Sequence, residues 1–425
     1  MTELAPSRPL GIRNLKCEGT SYTGIQPEAH LIGPDAIISK ASKWLFERAL
    51  PFWSDSGVDY KYGGFAEELR LDGTNPHVNF KRTRVQARQV YVYSHAAILG
   101  VPGAASVAEY GYRFITSKAW AGEDAGWLRQ VTIDGRPLDN TPDLYDISFV
   151  LFSLGWYFRA TGDRSAVKLA KQTLKFVSTH MRHPTGRGFL ATRPADGPRL
   201  QNPHMHLFEA ALSAYEAISD QQFLELADEV FALFENHFFD EATGTIPELF
   251  DERLVRKEDN TGFIVEPGHS FEWAWLLSWY QRLTGRDTRC HVRALVHFAE
   301  KYGVDHESGG VFDLLRSDGR VVDRSERVWP IAERLQAAVA TFELFNKDPT
   351  PVFAQSCNRL LTKHLAYEPI GAWMDHFDES GKPKVGKIPA STLYHIMIAF
   401  SEMLRVKENA FETAQNQTIA IGGAQ

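Results

Sequence analysis

The sequence predicts an all-α protein, an (α/α)6 barrel with short β-hairpins in the long loops at one end. Three observations point there. Twelve segments carry apolar residues at helical spacing, their connections alternate between tight and long, and a glycine–aromatic pattern recurs six times in the long ones. That pattern falls near Gly64-Phe65, Gly126-Trp127, Gly188-Phe189, Gly244-Thr245-Ile246, Gly310-Val311-Phe312 and Gly371-Ala372-Trp373. Repetition at a fixed period marks a solenoid or a closed ring. Prolines stand at five of the six helix starts that follow: Pro142, Pro203, Pro267, Pro330 and Pro389, spaced by 61, 64, 63 and 59 residues. An open solenoid is the alternative. A closed ring would aim the same end of every second helix at one point, and the chain's unusual polar residues sit at those ends.

The helical segments are read at 35–50, 83–99, 104–119, 143–160, 164–181, 204–218, 221–238, 268–284, 288–302, 331–346, 350–365 and 390–405. Leu207, Ala210, Ala214, Tyr215 and Ala217 illustrate the spacing, as do Phe223, Leu226, Ala227, Val230, Phe231 and Phe234. Thr161-Gly162-Asp163 and Thr284-Gly285-Arg286-Asp287 are tight links, with glycine suited to a helix C-terminus and aspartate to a cap. The long links carry turn signals at Leu71-Asp72-Gly73, Ile133-Asp134-Gly135, Ala195-Asp196-Gly197 and Ser317-Asp318-Gly319. The proline-led helices are expected to form the inner ring, since proline fixes φ where the first N–H groups lack partners. The chain then divides into an N-terminal extension at 1–33, a barrel at 34–407 and a flexible, small-residue tail at 408–425.

Bulk properties narrow the function. The 425 residues carry a formal charge of −7, which gives no basic field for nucleic acid and no polybasic membrane patch. No apolar run is long enough to span a bilayer. Cys17, Cys290 and Cys357 have no CxxC spacing and read as buried spectator thiols of a reduced cytoplasm. No Walker loop or dinucleotide fingerprint is present, so no nucleotide is implied. The oligomeric state is open, a homo-oligomer included.

The six inner-helix starts carry the chemistry. They supply Arg82, Arg84 and Arg88; Asp143 and Asp146; Asn202, His204, His206 and Glu209; Glu266, His269, Glu272, Trp273 and Trp275; Arg327, Trp329 and Glu333; and Tyr394 with His395. His206/Glu209 and His269/Glu272 are both His-x-x-Glu pairs, whose spacing puts the two side chains on one helix face. A carboxylate there can fix the tautomer of the imidazole and make it a competent base. His395 adds a third imidazole from another part of the ring. Two imidazoles facing each other could move a proton between two atoms of a substrate. His206 is favoured over His204 as the deeper residue. Arg84 and Arg88 either bind substrate oxygens or pair with Asp143, Asp146 or Glu333. A metal site is the competing use of the His-x-x-Glu pairs, although di-iron bundles use the reverse order.

These motifs resemble the N-acylglucosamine 2-epimerase family over roughly residues 40–405. The carriers are Val85-Gln-Ala-Arg88-Gln-Val-Tyr-Val-Tyr93, Asp143-Leu-Tyr-Asp146, Asn202-Pro-His-Met-His206-Leu-Phe-Glu-Ala210, Glu266-Pro-Gly-His269-Ser-Phe-Glu272-Trp-Ala-Trp275, Trp329-Pro-Ile-Ala-Glu333 and Ser391-Thr-Leu-Tyr-His395. The resemblance implies a sugar isomerase or 2-epimerase with no redox cofactor and no metal, acting on a small-molecule sugar. It implies His269 and His395 as the acid/base pair, with Glu272 orienting His269. It implies Arg88 and His206 as groups that bind the open-chain sugar, with Glu209 supporting His206. Asn202, Trp329 and Glu333 complete the expected substrate-binding set. One departure is Tyr145-Asp-Ile-Ser-Phe149, where the family often has Tyr-Asp-His-Ala-Phe. The stretch from Ala49-Leu-Pro-Phe-Trp53 to Gly63-Gly-Phe-Ala-Glu67 is closest to the mannose isomerase branch. The expected reaction interconverts D-mannose and D-fructose through an enediolate. A 2-epimerase uses the same residues. A glycoside hydrolase would instead need two carboxylates among Asp143, Asp146 and Glu333, and a non-catalytic sugar-binding barrel would need none of the proton chemistry.

Overall fold

The computed structural model describes residues 34–257 and 260–422, and the extension at 1–33 lies outside them. In chain order the helices are α1 Pro34–Trp44, α2 Leu50–Ser56, α3 Thr83–Ile98, α4 Ala104–Lys118, α5 Leu144–Thr161, α6 Arg164–His180, α7 Asn202–Ile218, α8 Gln221–Leu233, α9 Pro267–Thr284, α10 Arg289–Gly303, α11 Val328–Phe345, α12 Thr350–Arg359 and α13 Leu393–Gly422. Five-residue π turns extend three of the outer segments: Leu45–Ala49 joins α1 to α2, Phe234–Phe238 follows α8, and Leu360–His364 follows α12.

The ring closes. Along α3, α5, α7, α9, α11 and α13 each helix packs on the next, and α13 packs back on α3. The remaining helices form the outer wall, each against an inner partner. Burial separates the two walls. Every residue of α9 from Pro267 to Tyr280 is buried, as expected for a helix covered all round. The outer α6 buries one stripe instead, with Ala166, Leu169, Ala170, Thr173, Leu174, Phe176 and Val177 at three-to-four spacing. The tight links behave as read. Gly162 and Gly285 take left-handed φ values of 74° and 75° at the ends of α5 and α9. The Asp163 carboxylate accepts from Ser165 N at 2.8 Å.

The rim differs from the expected hairpins. Each glycine–aromatic pattern forms a single bridge, such as Val58 with Phe65, Trp120 with Trp127 and Arg182 with Phe189. The longer ladders mostly join neighbouring repeats. Phe80–Arg82 pairs with Gln130–Thr132, Arg199–Leu200 with Leu249–Phe250, Ile264–Val265 with Leu314–Arg316, and Glu326–Arg327 with His376–Phe377. Glu68–Arg70 pairs with Lys387–Pro389 and so stitches the first repeat to the last. Among the described residues, two-strand hairpins form only at the Asp134-Gly135 and Asp318-Gly319 turns. The prolines also sit less regularly than expected. Pro267 opens α9, Pro203 is second in α7 and Pro330 third in α11, whereas Pro142 precedes the Asp143 cap and Pro389 ends a strand. α13 continues to Gly422, through alanine, glutamate and glutamine residues that favour helix. Cys357 is a free, buried thiol, as read. Cys17 lies outside the described residues. No helix among the described residues is long and apolar enough to cross a membrane.

Candidate active site

The inner-helix starts open on one cavity of about 410 Å³, within the size range of small-molecule sites. Arg88, Tyr145, Asn202, His206, His269, Glu272, Trp329 and His395 line it. All three expected imidazoles therefore share one space. Glu209 and Glu333 stand just behind it, each hydrogen-bonded to a lining histidine. A separate depression of about 390 Å³, along 321–325 and 378–384, contains no imidazole.

Each imidazole is held at Nδ1 by a carboxylate, buried for His206 and His395 and half-buried for His269. His206 Nδ1 donates to Glu209 Oε2 at 3.0 Å, with Glu272 Oε1 3.6 Å away. His395 Nδ1 donates to Glu333 Oε1 at 2.6 Å, and Gln336 Nε2 donates to the other oxygen of that carboxylate. His269 Nδ1 donates to Glu248 Oε1 at 2.9 Å. These bonds fix the tautomer and leave Nε2 for the cavity. Trp329 lies between two of the rings, 5.1 Å from His269 and 5.7 Å from His395 by centroid. One indole thus packs near both members of the expected acid/base pair.

The expected role of Glu272 is not what the structure shows. His269 and Glu272 share a helix face, but His269 lies in the first turn and points to the rim, where Glu248 stands. Glu272 lies a turn deeper and faces His206 and Glu209. Glu248 was missed because it belongs to a rim loop, 21 residues before His269. No motif marks it. Gln201 completes that support. It donates from Nε2 to Glu248 Oε2 at 3.0 Å and accepts from Trp273 Nε1 at 2.7 Å. The Asn202 amide nitrogen lies 3.2 Å from His269 Nε2, and its Oδ1 has no partner. Turning the amide over lets a charged imidazole donate to Oδ1 instead.

The three histidines are not equivalent electrostatically. Burial disfavours the charge on His269, but Glu248 and then Glu266 outweigh it and raise its pKa to about 9. Burial, with Arg88 beside it, pushes His206 well below the ordinary value. The same causes push His395 down. These shifts favour an imidazolium at His269 and neutral imidazoles at His206 and His395. Burial also pushes Glu209 and Glu333 well up and raises Glu272 to about 7. His395 Nδ1 and Glu333 Oε1 share a hydrogen bond. With one proton, the pair presents a bare Nε2 and is a base. With two, it presents Nε2–H and is an acid.

The remaining expected residues sort cleanly. Arg88 lines the cavity, donates to Tyr145 OH at 2.8 Å and lies over Phe149 at 4.0 Å. Arg84 is instead paired with Asp146 at 2.8 Å. Asp143 caps α5 and faces Arg129. Neither aspartate lines the cavity, and Glu333 is hydrogen-bonded to His395, so the three carboxylates expected of a hydrolase do not flank the cavity; Glu266, Glu272 and Asp375 line it instead. His204 binds Phe189 N and Leu200 O among aromatic rings, a structural role. Trp273 and Trp275 are core. Two triads, His206/Glu209/Glu272 and Glu248/Glu266/His269, bring donor atoms within 4.8 Å of one another. In both, a cation would have to displace the proton that the imidazole gives to a carboxylate.

Comparison with known proteins follows the same lines. The family model of N-acylglucosamine 2-epimerase matches residues 63–399. A mannose-6-phosphate isomerase of Rhizobium meliloti (strain 1021) is 32% identical over 368 residues, covering 85% of this chain and 95% of that protein. A D-mannose isomerase of Thermobifida fusca is 28% identical over 310 residues, covering 67% and 74%. Among solved structures, the cellobiose 2-epimerase of Spirochaeta thermophila DSM 6192 superposes with a TM-score of 0.78 at 22% identity, over 89% of this chain and 98% of that one. A GH76 α-mannanase of Bacteroides thetaiotaomicron, at 12% identity with a TM-score of 0.67 over 89% of this chain and all of its own, shares the fold alone. The chain belongs to the N-acylglucosamine 2-epimerase family and is an isomerising enzyme, a sugar 2-epimerase or aldose–ketose isomerase.

Proposed function

We propose that the chain is an aldose–ketose isomerase that interconverts D-mannose and D-fructose by histidine acid/base chemistry. The observation that carries the reading is geometric: His269 and His395 open on one cavity, Trp329 packs near both, and each is held at Nδ1 by its own carboxylate, Glu248 and Glu333, with surroundings that push their pKa values in opposite directions. Groups whose environments push their pKa values apart divide naturally into acid and base. His395 takes the C2 proton of the open-chain aldose, and the electron pair forms the C1–C2 double bond. Arg88 and the His269 imidazolium stabilise the negative oxygen that develops at O1. Exchange of the proton on His395 with solvent and its delivery to C1, with the O2 proton moving to O1, gives the ketose. Delivery from His269 to the opposite face of C2 gives the epimer. The second reading, a 2-epimerase, is favoured by that far-side imidazolium.

An unphosphorylated sugar suits the cavity mouth. The cations there are already paired: Arg82 with Glu67, Arg327 with Asp313 at 2.7 Å and Glu266 at 3.0 Å, and Lys387 with Glu68 at 2.6 Å. A phosphate would have to displace those carboxylates. The test is incubation with mannose, mannose 6-phosphate, glucose, N-acetylmannosamine and fructose in deuterated water, without nucleotide or metal. Mannose is expected to give fructose carrying deuterium at C1. Product formed with no label at C1 of the ketose or C2 of the aldose would sink proton transfer. Turnover of the phosphate ester alone would overturn the choice of substrate.

A further inference from the structure

The reaction as written engages the C1–C2 end of the sugar, and the groups that meet it, Arg88, His269 and His395, are buried. The other end of a hexose also needs a partner. Among the carboxylates that line the cavity, Glu266 is paired with Arg327 at 3.0 Å and Glu272 faces His206 at 3.6 Å. Asp375 differs. The groups around it that could carry positive charge are engaged elsewhere: His364 faces Glu326, Arg327 pairs with Glu266 and Asp313, and His376 faces Asp313. Among the described residues its one side-chain hydrogen bond comes from Thr392 Oγ1, to Oδ1 at 2.5 Å. Oδ2 is left to the cavity. Burial raises the pKa of this half-buried acid, and the Thr392 bond opposes that most. A carboxylate drawn out of water without a cation works against folding, so the fold alone does not account for it. No helix-start motif marks Asp375, which lies in the long link before α13.

Its place decides what it meets. The Asp375 carbonyl accepts from Val328 N at 3.1 Å, at the first residue of α11 and next to Trp329. Thr392, which holds the carboxylate, stands three residues before His395 and nearer the rim. Asp375 therefore sits at the mouth, outward of His395. A hexose with O1 at Arg88 and C2 between His269 and His395 runs its remaining carbons toward that mouth. An ionised carboxylate accepts hydrogen bonds and donates none, so its partner there is a hydroxyl. We propose that Asp375 is a specificity-determining residue, whose free oxygen accepts from the terminal hydroxyl, O6, of the bound hexose and so selects aldoses with an unmodified CH2OH end. The inference rests on the sugar-isomerase reading of the cavity. A 6-deoxy sugar leaves the carboxylate without its donor. A phosphate at C6 replaces the donor with negative charge facing negative charge.

The experiment measures kcat/KM for product carrying solvent deuterium, ketose or epimer, from D-mannose, 4-deoxy-D-mannose, 6-deoxy-D-mannose and D-mannose 6-phosphate. Wild-type protein is expected to prefer mannose to 6-deoxymannose by about 10- to 100-fold, the range for a hydrogen bond to a charged group. The loss on 4-deoxymannose should be smaller. In Asp375→Ala the preference for mannose over 6-deoxymannose should shrink to about threefold or less, since the acceptor is gone. Asp375→Asn keeps an acceptor for Thr392 and removes the charge. It should raise mannose 6-phosphate relative to mannose by about tenfold or more. Circular dichroism checks that both variants fold, and the deoxy sugars test the wild type without any substitution. A preference unchanged in Asp375→Ala, a larger loss on the 4-deoxy than on the 6-deoxy sugar, or a phosphate ratio unchanged in Asp375→Asn would overturn the inference and leave the isomerase. No labelled product from any of these aldoses would remove the proposed function, and the inference with it.

Discussion

Glu248→Gln isolates what keeps His269 charged. Glu248 is the first of the groups that outweigh burial at this imidazole, and together they move it from 6.5 to about 9. At about 1.36 kcal/mol for each tenfold change, that is roughly 3 kcal/mol in favour of the imidazolium. Glutamine keeps a hydrogen-bond acceptor at the same place but removes the charge. Burial then dominates and the pKa falls below 7. The assay is kcat/KM for mannose from pH 5.5 to 10. In the wild type the high-pH limb should fall near 9, because the reaction needs the imidazolium. In Glu248→Gln that limb should move down by about two pH units, with about tenfold lower activity at pH 8 and a much smaller deficit at pH 6. Glu272→Gln is the contrast, since Glu272 ranks after Glu248 and Glu266 in acting on His269, and its high-pH limb should stay near 9. A limb unmoved in Glu248→Gln, or moved equally in both variants, would refute the reasoning. The sign for stability is separate. A raised folded-state pKa stabilises fully below 6.5, and that contribution is lost as pH rises through about 9.

Three further outcomes follow from the fold and the site. Glu326 accepts from Arg359 at 2.9 Å, lies 2.6 Å from Lys363 and 3.3 Å from His364, and is lowered from 4.5 to about 2. Its contribution of about 3 kcal/mol is present above pH 4.5 and lost as pH falls through about 2, so Glu326→Gln should cost roughly that much at pH 7 in urea denaturation and flatten the acid limb. Leu69 and Ile388 are 0% exposed across the ladder that joins the first repeat to the last. Leu69→Ala should therefore cost about 3–5 kcal/mol by the same measurement, whereas an open ring would lose far less. Dialysis against a chelator should leave kcat unchanged, since each imidazole Nδ1 serves a carboxylate; a loss restored by a divalent cation would place a metal in one of the triads.

The fold was legible because its periods are plain. Glycine–aromatic bends and alternating links mark each repeat, and all the expected helices form. His206, His269, His395, Arg88, Asn202 and Trp329 were legible because helix-start positions in a closed ring must converge. The rim was not, because its ladders join strands of neighbouring repeats and local turn signals say nothing of such partners. Glu248 was hidden for the same reason. Its carboxylate reaches His269 only after the rim strands bring two loops together, and spacing along one helix pointed to Glu272 instead. The π turns also left no periodic trace, since one extra residue in a helix end looks like ordinary fraying.

The most direct test is a crystal structure with D-mannitol, a linear hexitol that resembles the opened substrate. The polyol is expected in the cavity against Trp329, with His395 Nε2 and His269 Nε2 within about 3 Å of opposite sides of its C1–C2 end. Binding in the depression along 321–325 instead, or both imidazoles on one side of the chain, would contradict the account.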